Sequence, residues 1–176
     1  MEYFLTSSRL GFRRWTMEDM PLAMELWGDA RVTGLFGGPY SELRVRTRLE
    51  TEIRQADEIG AQYWPVFLLK NGEHVGCAGL QPCPGKRNTL ELGYHLRPGF
   101  WGNGFATEAG REVIAYGFNH LGLEAIFAGH PPSHGASRNV LVKLGFRYVG
   151  EEFYPPSGAV EPSYLLSKAD WQASAA

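Results

Sequence analysis

Hydrophobic positions in the middle of the chain change from one period to another. Leu90, Leu92, Tyr94 and Leu96 alternate with polar or small residues, which predicts a strand over Thr89–Leu96. From residue 106 to residue 118 the apolar positions recur at helical spacing, and this predicts a long helix that stops at Gly122. Residues 123–128 again have the pattern of a strand. Strand, helix and strand in this order predict a βαβ unit with two parallel neighbouring strands.

The flanking segments predict further strands and helices of one α/β fold. The N-terminal part gives an opening strand at residues 10–12, a helix from residue 20 to 27 and a second helix capped by Ser41 and ended by Gly60. On that second helix we expect Arg44, Arg46 and Arg48 to form the solvated face. The remaining predictions are a hairpin of residues 62–69 and 73–80 around Asn71-Gly72, a helix over 136–144, and strands over 146–149 and 160–166.

Composition and charge narrow the class of protein. The chain has 176 residues, 44% of them hydrophobic, which suits one domain over residues 1–176. Seventeen basic against nineteen acidic residues give a net charge of −2, so we expect no DNA partner. The longest apolar run, residues 63–69, is far shorter than the ~20 residues that a membrane helix needs. Two cysteines offer neither a disulfide framework nor a metal site, which favours a cytoplasmic protein without a metal.

The loop before the long helix carries the main chemical signal. Gly102 and Gly104 let a ligand approach the backbone, and the first turn of the helix offers unpaired N–H groups that suit a phosphate. A tight connection that uses glycine only for its dihedral angles is the alternative. Phe105 and Ala106 follow Gly104 where a P-loop needs lysine and serine or threonine, and Thr107 replaces the third glycine of a dinucleotide fingerprint. These two nucleotide sites are therefore disfavoured.

Two segments resemble one family. Residues 101–109, Trp-Gly-Asn-Gly-Phe-Ala-Thr-Glu-Ala, resemble the pyrophosphate-binding signature of the GNAT superfamily of acetyl-CoA-dependent N-acetyltransferases. Trp101 stands where the general signature has arginine or glutamine, as in the branch of the ribosomal-protein N-terminal acetyltransferases (the Rim-type branch). Residues 137–146 are similar to that branch's second motif, although His134 stands where the branch has asparagine.

The resemblance implies a fold and a set of site residues. The fold would be an α/β (α+β) domain with a mixed, mostly antiparallel sheet and one splayed parallel pair joined by a crossover helix. Acetyl-CoA would be the cofactor, with no metal, and the residues implied in its binding are Tyr94, His95, Leu96, Trp101, Gly102, Asn103, Gly104, Phe105, Ala106, Thr107, His134, Ser137 and Asn139.

The reaction implied is direct attack of a primary amine on the thioester. Glu91 would be the base, with His95 as the alternative, and Ser137 would donate or position the proton for the leaving sulfur. A solvent-facing acid at Glu91 and a helix N-cap at Ser137 are the alternative roles. The acceptor, a peptide or protein N-terminus or a small-molecule amine, would lie between residues 27–36 and 153–156.

Three functions remain open at this point. The first is an active N-acetyltransferase, the second a non-catalytic acyl-CoA-binding sensor with the same fold, and the third a Rossmann-like nucleotide binder. The sequence leaves the acceptor, the acyl-chain preference and the oligomeric state open, with a homodimer among the alternatives.

Overall fold

The computed structural model describes residues 2–154 and 158–174, and within them one eight-stranded sheet is flanked by helices. The strands are β1 (Leu5–Thr6), β2 (Leu10–Phe12), β3 (Tyr63–Leu68), β4 (His74–Pro82), β5 (Thr89–Leu96), β6 (Ala125–Gly129), β7 (Arg147–Tyr154) and β8 (Ala159–Ser167). The helices are α1 (Met20–Trp27), α2 (Ala30–Thr33), α3 (Glu42–Ile59), α4 (Phe105–Asn119), α5 (Gly135–Lys143) and α6 (Lys168–Ser174).

The sheet is mixed and mostly antiparallel. Its strand order is β1-β2-β3-β4-β5-β6-β8-β7, and among the strands of the described residues only the β5–β6 pair is parallel. Helix α4 makes the crossover between these two strands, as the βαβ prediction requires. The predicted fold class is therefore confirmed, and the doubly wound sheet of a Rossmann-like nucleotide binder is excluded.

Two hydrophobic cores cover the two faces of the sheet. On one face α4 packs Val113, Ile114 and Phe118 against strand residues such as Leu92 and Ile126. On the other face α1 and α3 pack Trp27, Val45 and Leu49 against Tyr63 and Cys77. Because side chains alternate along a strand, β5 sends Leu92, Tyr94 and Leu96 towards α4 and sends Glu91, Gly93 and His95 towards α1 and α3.

Strand β5 separates from its parallel neighbour. Only three pairs join β5 to β6, and the last of them is Glu91 with Phe127. Beyond that point β6 continues to Gly129 beside β8, whereas β5 continues to Leu96 beside β4. We call the space between residues 92–96 and 128–129 the β5–β6 gap. Along it the backbone of β5 has no strand partner among the described residues on the β6 side.

Most predicted elements are present, and the differences are local. Thr89–Leu96 agrees with the prediction at both ends, and α3 has its predicted cap at Ser41 and its left-handed end at Gly60. Helix α4 ends at Asn119, before the predicted Gly122. In the β3–β4 hairpin only Gly72 has a positive φ, of 71°, and its N–H donates to the Leu68 carbonyl oxygen over 2.8 Å, so the turn is longer than two residues.

The prediction for Arg48 was wrong. Its side chain is three-quarters buried, and its Nε donates to Glu52 Oε1 over 2.7 Å. The guanidinium also lies over the rings of Trp27 and Tyr63, at 5.3 and 5.1 Å from their centroids. Arg48 and Glu52 lie one helical turn apart, so their charges pair. Because the charges are paired, both side chains can be buried against the sheet.

Candidate active site

The loop before α4 presents free donors to the solvent. Gly102 and Gly104 have φ values of 75° and 78°, which glycine adopts without strain, and residues 101–104 are exposed. Gly104 is the N-cap of α4 and has no side chain that could accept a hydrogen bond from the first turn. The N–H groups of residues 105–107 therefore find no acceptor among the described residues. These donors and the positive end of the helix dipole suit an anion such as a diphosphate. Open space at Gly102 leaves room for it.

Side chains hold this loop in place. Trp101 Nε1 donates to the Leu96 carbonyl oxygen over 2.8 Å, and the Asn103 side-chain amide donates to the Trp101 carbonyl oxygen over 3.0 Å. Arg9 donates to the Asn103 carbonyl oxygen over 3.1 Å and pairs with Glu108 over 2.6 Å. Burial alone would raise the pKa of Glu108, but hydrogen bonds from Ser7 and Arg9 lower it overall. Glu108 therefore tethers the N-terminal strands to α4.

Two hydroxyl groups meet on the α4 side of the β5–β6 gap. Tyr94 Oη lies 2.9 Å from Ser137 Oγ and donates to the Ser137 carbonyl oxygen over 3.3 Å. Burial raises the pKa of Tyr94 to about 12, so the phenol keeps its proton at neutral pH. The N-cap of α5 is His134, and Ser137 lies within the first turn of the helix. The alternative role of Ser137 as the N-cap is therefore wrong, because the chain enters the helix earlier.

Glu91 lies on the opposite face of β5, towards α1 and α3. It is partly buried, and Gln81 Nε2 donates to its Oε2 over 3.1 Å. Burial raises the pKa of Glu91, the hydrogen bond from Gln81 opposes this, and the charge of Glu161 raises it further. Glu91 is therefore easier to protonate than an ordinary glutamate, and the alternative of a solvent-facing acid does not describe it.

His95 shares that face and is engaged by its neighbours. Trp27 Nε1 donates to His95 Nδ1 over 3.1 Å, and the rings of Phe36 and Tyr63 pack around the imidazole. Burial, followed by the charge of Arg48, lowers the pKa of His95 to about 3. The imidazole is neutral across the physiological range, with one nitrogen already accepting a hydrogen bond.

The structure also places the remaining predicted residues. His134 is close enough to His95 to affect its pKa, and Asn139 lies exposed on α5. Of the predicted acceptor walls, residues 27–36 begin and end beside His95 through Trp27 and Phe36. Phe153 is exposed, and residues 155–156 of the other wall lie outside the described residues.

Two further residues lie on the face of Glu91: Glu161, which the sequence did not indicate, and Tyr154, which falls within the predicted acceptor wall of residues 153–156. Glu161 of β8 is 4% exposed, and its Oε1 has no hydrogen-bond partner among the described residues. Tyr154 of β7 accepts or donates a hydrogen bond with the Gln81 side chain, and burial and the charge of Glu91 raise its pKa to about 12. An acid at a position that alternates with apolar residues was the available signal for Glu161, but it requires the strand register to be known.

Two negative observations apply to the described residues. Within residues 2–154 and 158–174 no group of three or more histidine, cysteine, aspartate or glutamate side chains is arranged to hold a metal ion. Over the same ranges no helix combines the length and the apolar character needed to cross a membrane.

Comparison with known proteins identifies the family. Residues 9–147 match the acetyltransferase (GNAT) domain. The chain belongs to the GNAT acetyltransferases. It is similar to the uncharacterized N-acetyltransferase p20 of Bacillus licheniformis, with 27% identity over 93% of this chain and 94% of that protein. It is also similar to the FsC-acetyl coenzyme A-N(2)-transacetylase of Aspergillus fumigatus, with 31% identity over 88% of this chain and 72% of that protein. The chain is therefore an acyltransferase of the N-acetyltransferase class.

Solved structures agree with this family. A GNAT acetyltransferase from Bacillus anthracis superimposes with a TM-score of 0.80 at 25% identity and covers 94% of this chain and 98% of its own. The aminoglycoside acetyltransferase AAC(6')-Ib in complex with coenzyme A gives a TM-score of 0.80 at 15% identity, covering 95% and 99%. A ribosomal L7/L12 alpha-N-protein acetyltransferase gives 0.78 at 16%, covering 94% of each chain. At 15% and 16% identity the last two structures show only that the fold is shared, and the acceptors in their names are those of these two proteins.

Proposed function

We propose that this GNAT protein uses acetyl-CoA to acetylate a primary amine, with the diphosphate of the cofactor held at the start of α4. The observation that carries this proposal is the set of free N–H groups over residues 102–107, next to a gap between β5 and β6 that has an acid on one face and two hydroxyls on the other. The residues present fit the cofactor, because the donors are unpaired, the helix dipole has the right sign and Gly102 leaves open space.

The cofactor supplies a thioester-bound acetyl group. Every second backbone N–H of β5 between residues 92 and 96 faces the β5–β6 gap and is suited to hydrogen-bond an extended chain that enters it, much as a further strand would. Such fixed donors also stabilise negative charge that develops on a carbonyl oxygen during acyl transfer. We assign Tyr94 and Leu96 to this role through their backbone and residues 101–107 to the diphosphate. The backbone N–H of His95 points to β4 instead, because the N–H of Arg97, two residues on, donates to the Val75 carbonyl oxygen over 2.9 Å.

Glu91 is the base in this proposal. An amine must lose a proton to attack a carbonyl. A carboxylate with a raised pKa binds that proton more tightly than an ordinary glutamate does, which makes it a better base. His95 is less suited, because Trp27 occupies its Nδ1 and its surroundings disfavour the protonated ring. We therefore assign proton removal to Glu91, directly or through a water molecule, and a supporting role to His95.

The Tyr94–Ser137 pair supplies the proton for the leaving sulfur. The two oxygens lie on the α4 side of the gap, opposite Glu91. A thiolate with an ordinary pKa near 8.5 takes up a proton as it departs: the Ser137 hydroxyl gives its proton to the sulfur and takes one from the Tyr94 phenol, and solvent then returns a proton to Tyr94. The gap thus separates the group that removes a proton from the pair that donates one.

The acceptor in this proposal is a small-molecule amine or a peptide N-terminus in the cytoplasm. The resemblance to the Rim-type branch supports a peptide, whereas the partly buried acidic face around Glu91 favours a compact cationic amine. Thiol release from acetyl-CoA with a panel of both acceptor kinds tests the proposal, with Glu91→Gln as the catalytic variant. Tight cofactor binding without turnover on any acceptor would instead indicate an acyl-CoA-binding sensor.

A further inference from the structure

Two carboxylates face the same side of the sheet at the β5–β6 gap. Glu91 lies on β5 and Glu161 on β8, with β6 between them. The registers Glu91–Phe127, Phe127–Leu165 and Gly129–Ser163 put both acids on the face that α1 and α3 cover, because side chains alternate along each strand. The charge of Glu161 reaches Glu91, so the two groups belong to one site.

The carboxylate of Glu161 lies close to Gly129. This glycine is the last residue of β6 and therefore borders the gap. A Cβ atom on Gly129 would lie 3.7 Å from Glu161 Oε2, so the carboxylate of Glu161 is a neighbour of the residue that borders the gap. Its other oxygen, Oε1, is buried and has no hydrogen-bond partner among the described residues. A buried carboxylate oxygen without a partner costs free energy, which a bound donor would recover.

The neighbouring cations are already neutralised. Arg48 pairs with Glu52 over 2.7 Å, and Lys86 pairs with Glu152 over 2.8 Å. Within the described residues neither Glu91 nor Glu161 takes part in an ion pair. The charge of Arg48 reaches Glu91, but Arg48 is already paired with Glu52, so the two acids outnumber the cations left to balance them and a cationic ligand would supply the missing charge.

We infer that the acceptor carries two cationic nitrogens, one placed at Glu91 for acetylation and the other bound by Glu161. The inference rests on the function proposed above and adds the class of acceptor. A division of labour explains why both acids are present: Glu91 takes up a proton during the reaction, whereas Glu161 fixes the far end of the acceptor. β5 and β8 are separated by two strand spacings, roughly 10 Å, and Glu161 lies four residues, roughly 13 Å, along β8 from Leu165, which is level with Glu91, so the two Cα atoms are about 16 Å apart. An aliphatic diamine of about four or five carbons spans this separation only with both glutamate side chains extended towards it.

The test compares diamines with monoamines of equal length. Putrescine and cadaverine, with butylamine and pentylamine as partners, are titrated calorimetrically into the enzyme saturated with coenzyme A, and kcat/KM is measured by thiol release. We expect each diamine to bind on the order of tenfold more tightly than its monoamine, as a charge-assisted hydrogen bond implies. Glu161→Gln should abolish this preference, and Glu161→Asp, which keeps the charge, should retain part of it.

Glu151→Gln is the matched control. Glu151 lies on β7, is exposed and points to the opposite face, so the same change of charge there should leave the preference intact. Three results would overturn the inference: equal affinity for diamines and monoamines, no amine binding at all, or a preference for diamines that survives Glu161→Gln. In each of these cases the proposed function would still stand if the protein binds acetyl-CoA and acetylates other amines. Absence of coenzyme A binding would remove both.

Discussion

Tyr94 Oη and Ser137 Oγ lie 2.9 Å apart although 43 residues separate them in the chain. Tyr94 is on the part of β5 that has left β6, and Ser137 is in the first turn of α5. The pair therefore joins a strand to a helix on one side of the gap. We assign it the proton that the departing thiolate takes up.

Removal of either hydroxyl should slow the reaction more than it harms the fold. We expect Tyr94→Phe and Ser137→Ala each to lower kcat by about 10²–10⁴-fold, the usual contribution of general acid catalysis. The double variant should be little slower than the slower single variant, because both act on one proton. Single-turnover kinetics measures the chemical step. Tyr148→Phe, at an exposed tyrosine of β7, is the control, and a kcat equally reduced there would refute the assignment.

The raised pKa of Glu91 predicts a pH profile. Burial disfavours its charged form, so the acidic limb of kcat/KM should lie above the ordinary glutamate value of 4.5. Activity should rise with pH as Glu91 loses its proton. In Glu91→Gln this limb should disappear and kcat should fall by about 10²–10⁴. An unchanged profile in that variant would show that another group is the base.

The same shift predicts an effect on stability. A carboxyl group whose pKa is raised by folding binds its proton more tightly in the folded state than in the unfolded state. The stability that this group contributes is therefore present below the unfolded pKa. It is lost as pH rises through the folded pKa. Glu91→Gln, which is neutral at every pH, should therefore raise Tm at pH 8 more than at pH 4. Thermal unfolding at the two values measures this difference, and an equal change at both would contradict it.

Helix α3 carries two arginine–glutamate pairs of the same spacing, Arg48–Glu52, which is largely buried, and Arg54–Glu58, which is exposed. Arg48→Met leaves the buried Glu52 carboxylate, 1% exposed, without its partner and should lower the free energy of unfolding by about 3–5 kcal/mol. Arg54→Met removes the same kind of contact to Glu58 on the exposed face, where both side chains are 60% exposed, and should cost less than about 1 kcal/mol. Urea unfolding of both variants decides this, and equal losses would mean that the burial of Arg48 has no energetic consequence.

The sequence predicted the centre of the fold better than its site. The alternation over Thr89–Leu96 and the helical spacing after Gly104 are local signals, so β5, α4 and their parallel partner could be predicted. Arg48 was assigned to the surface because helical periodicity does not show which neighbouring element covers a residue. Glu161 could not be recognised, because it comes near Glu91 only if β8 pairs with β6 as well as with β7, the strand before it in the sequence. β1 and α2, with two and four residues, are too short to give a periodic pattern.

The glycine loop allows a test that separates strain from ligand binding. Gly102→Ala and Gly72→Ala both place a side chain at a φ near 75° or 71° with open space around it, so each should cost roughly 1–2 kcal/mol of stability. Only Gly102→Ala lies at the proposed diphosphate site. We expect it to weaken coenzyme A binding at least several-fold, and Gly72→Ala in the β3–β4 turn to leave binding unchanged. Equal affinity in the two variants would argue against the loop as the binding site.

The most direct measurement is a calorimetric titration of the purified protein with coenzyme A, with pantetheine, which lacks both the diphosphate and the adenosine 3′-phosphate, and with adenosine 3′-phosphate, which lacks the diphosphate and the pantetheine. If the N–H groups at the start of α4 hold that diphosphate, coenzyme A should bind and both fragments should bind at least about a hundredfold more weakly, as the loss of several charge-assisted hydrogen bonds requires. No detectable binding of coenzyme A, or equal affinity for coenzyme A and for either fragment, would contradict the account.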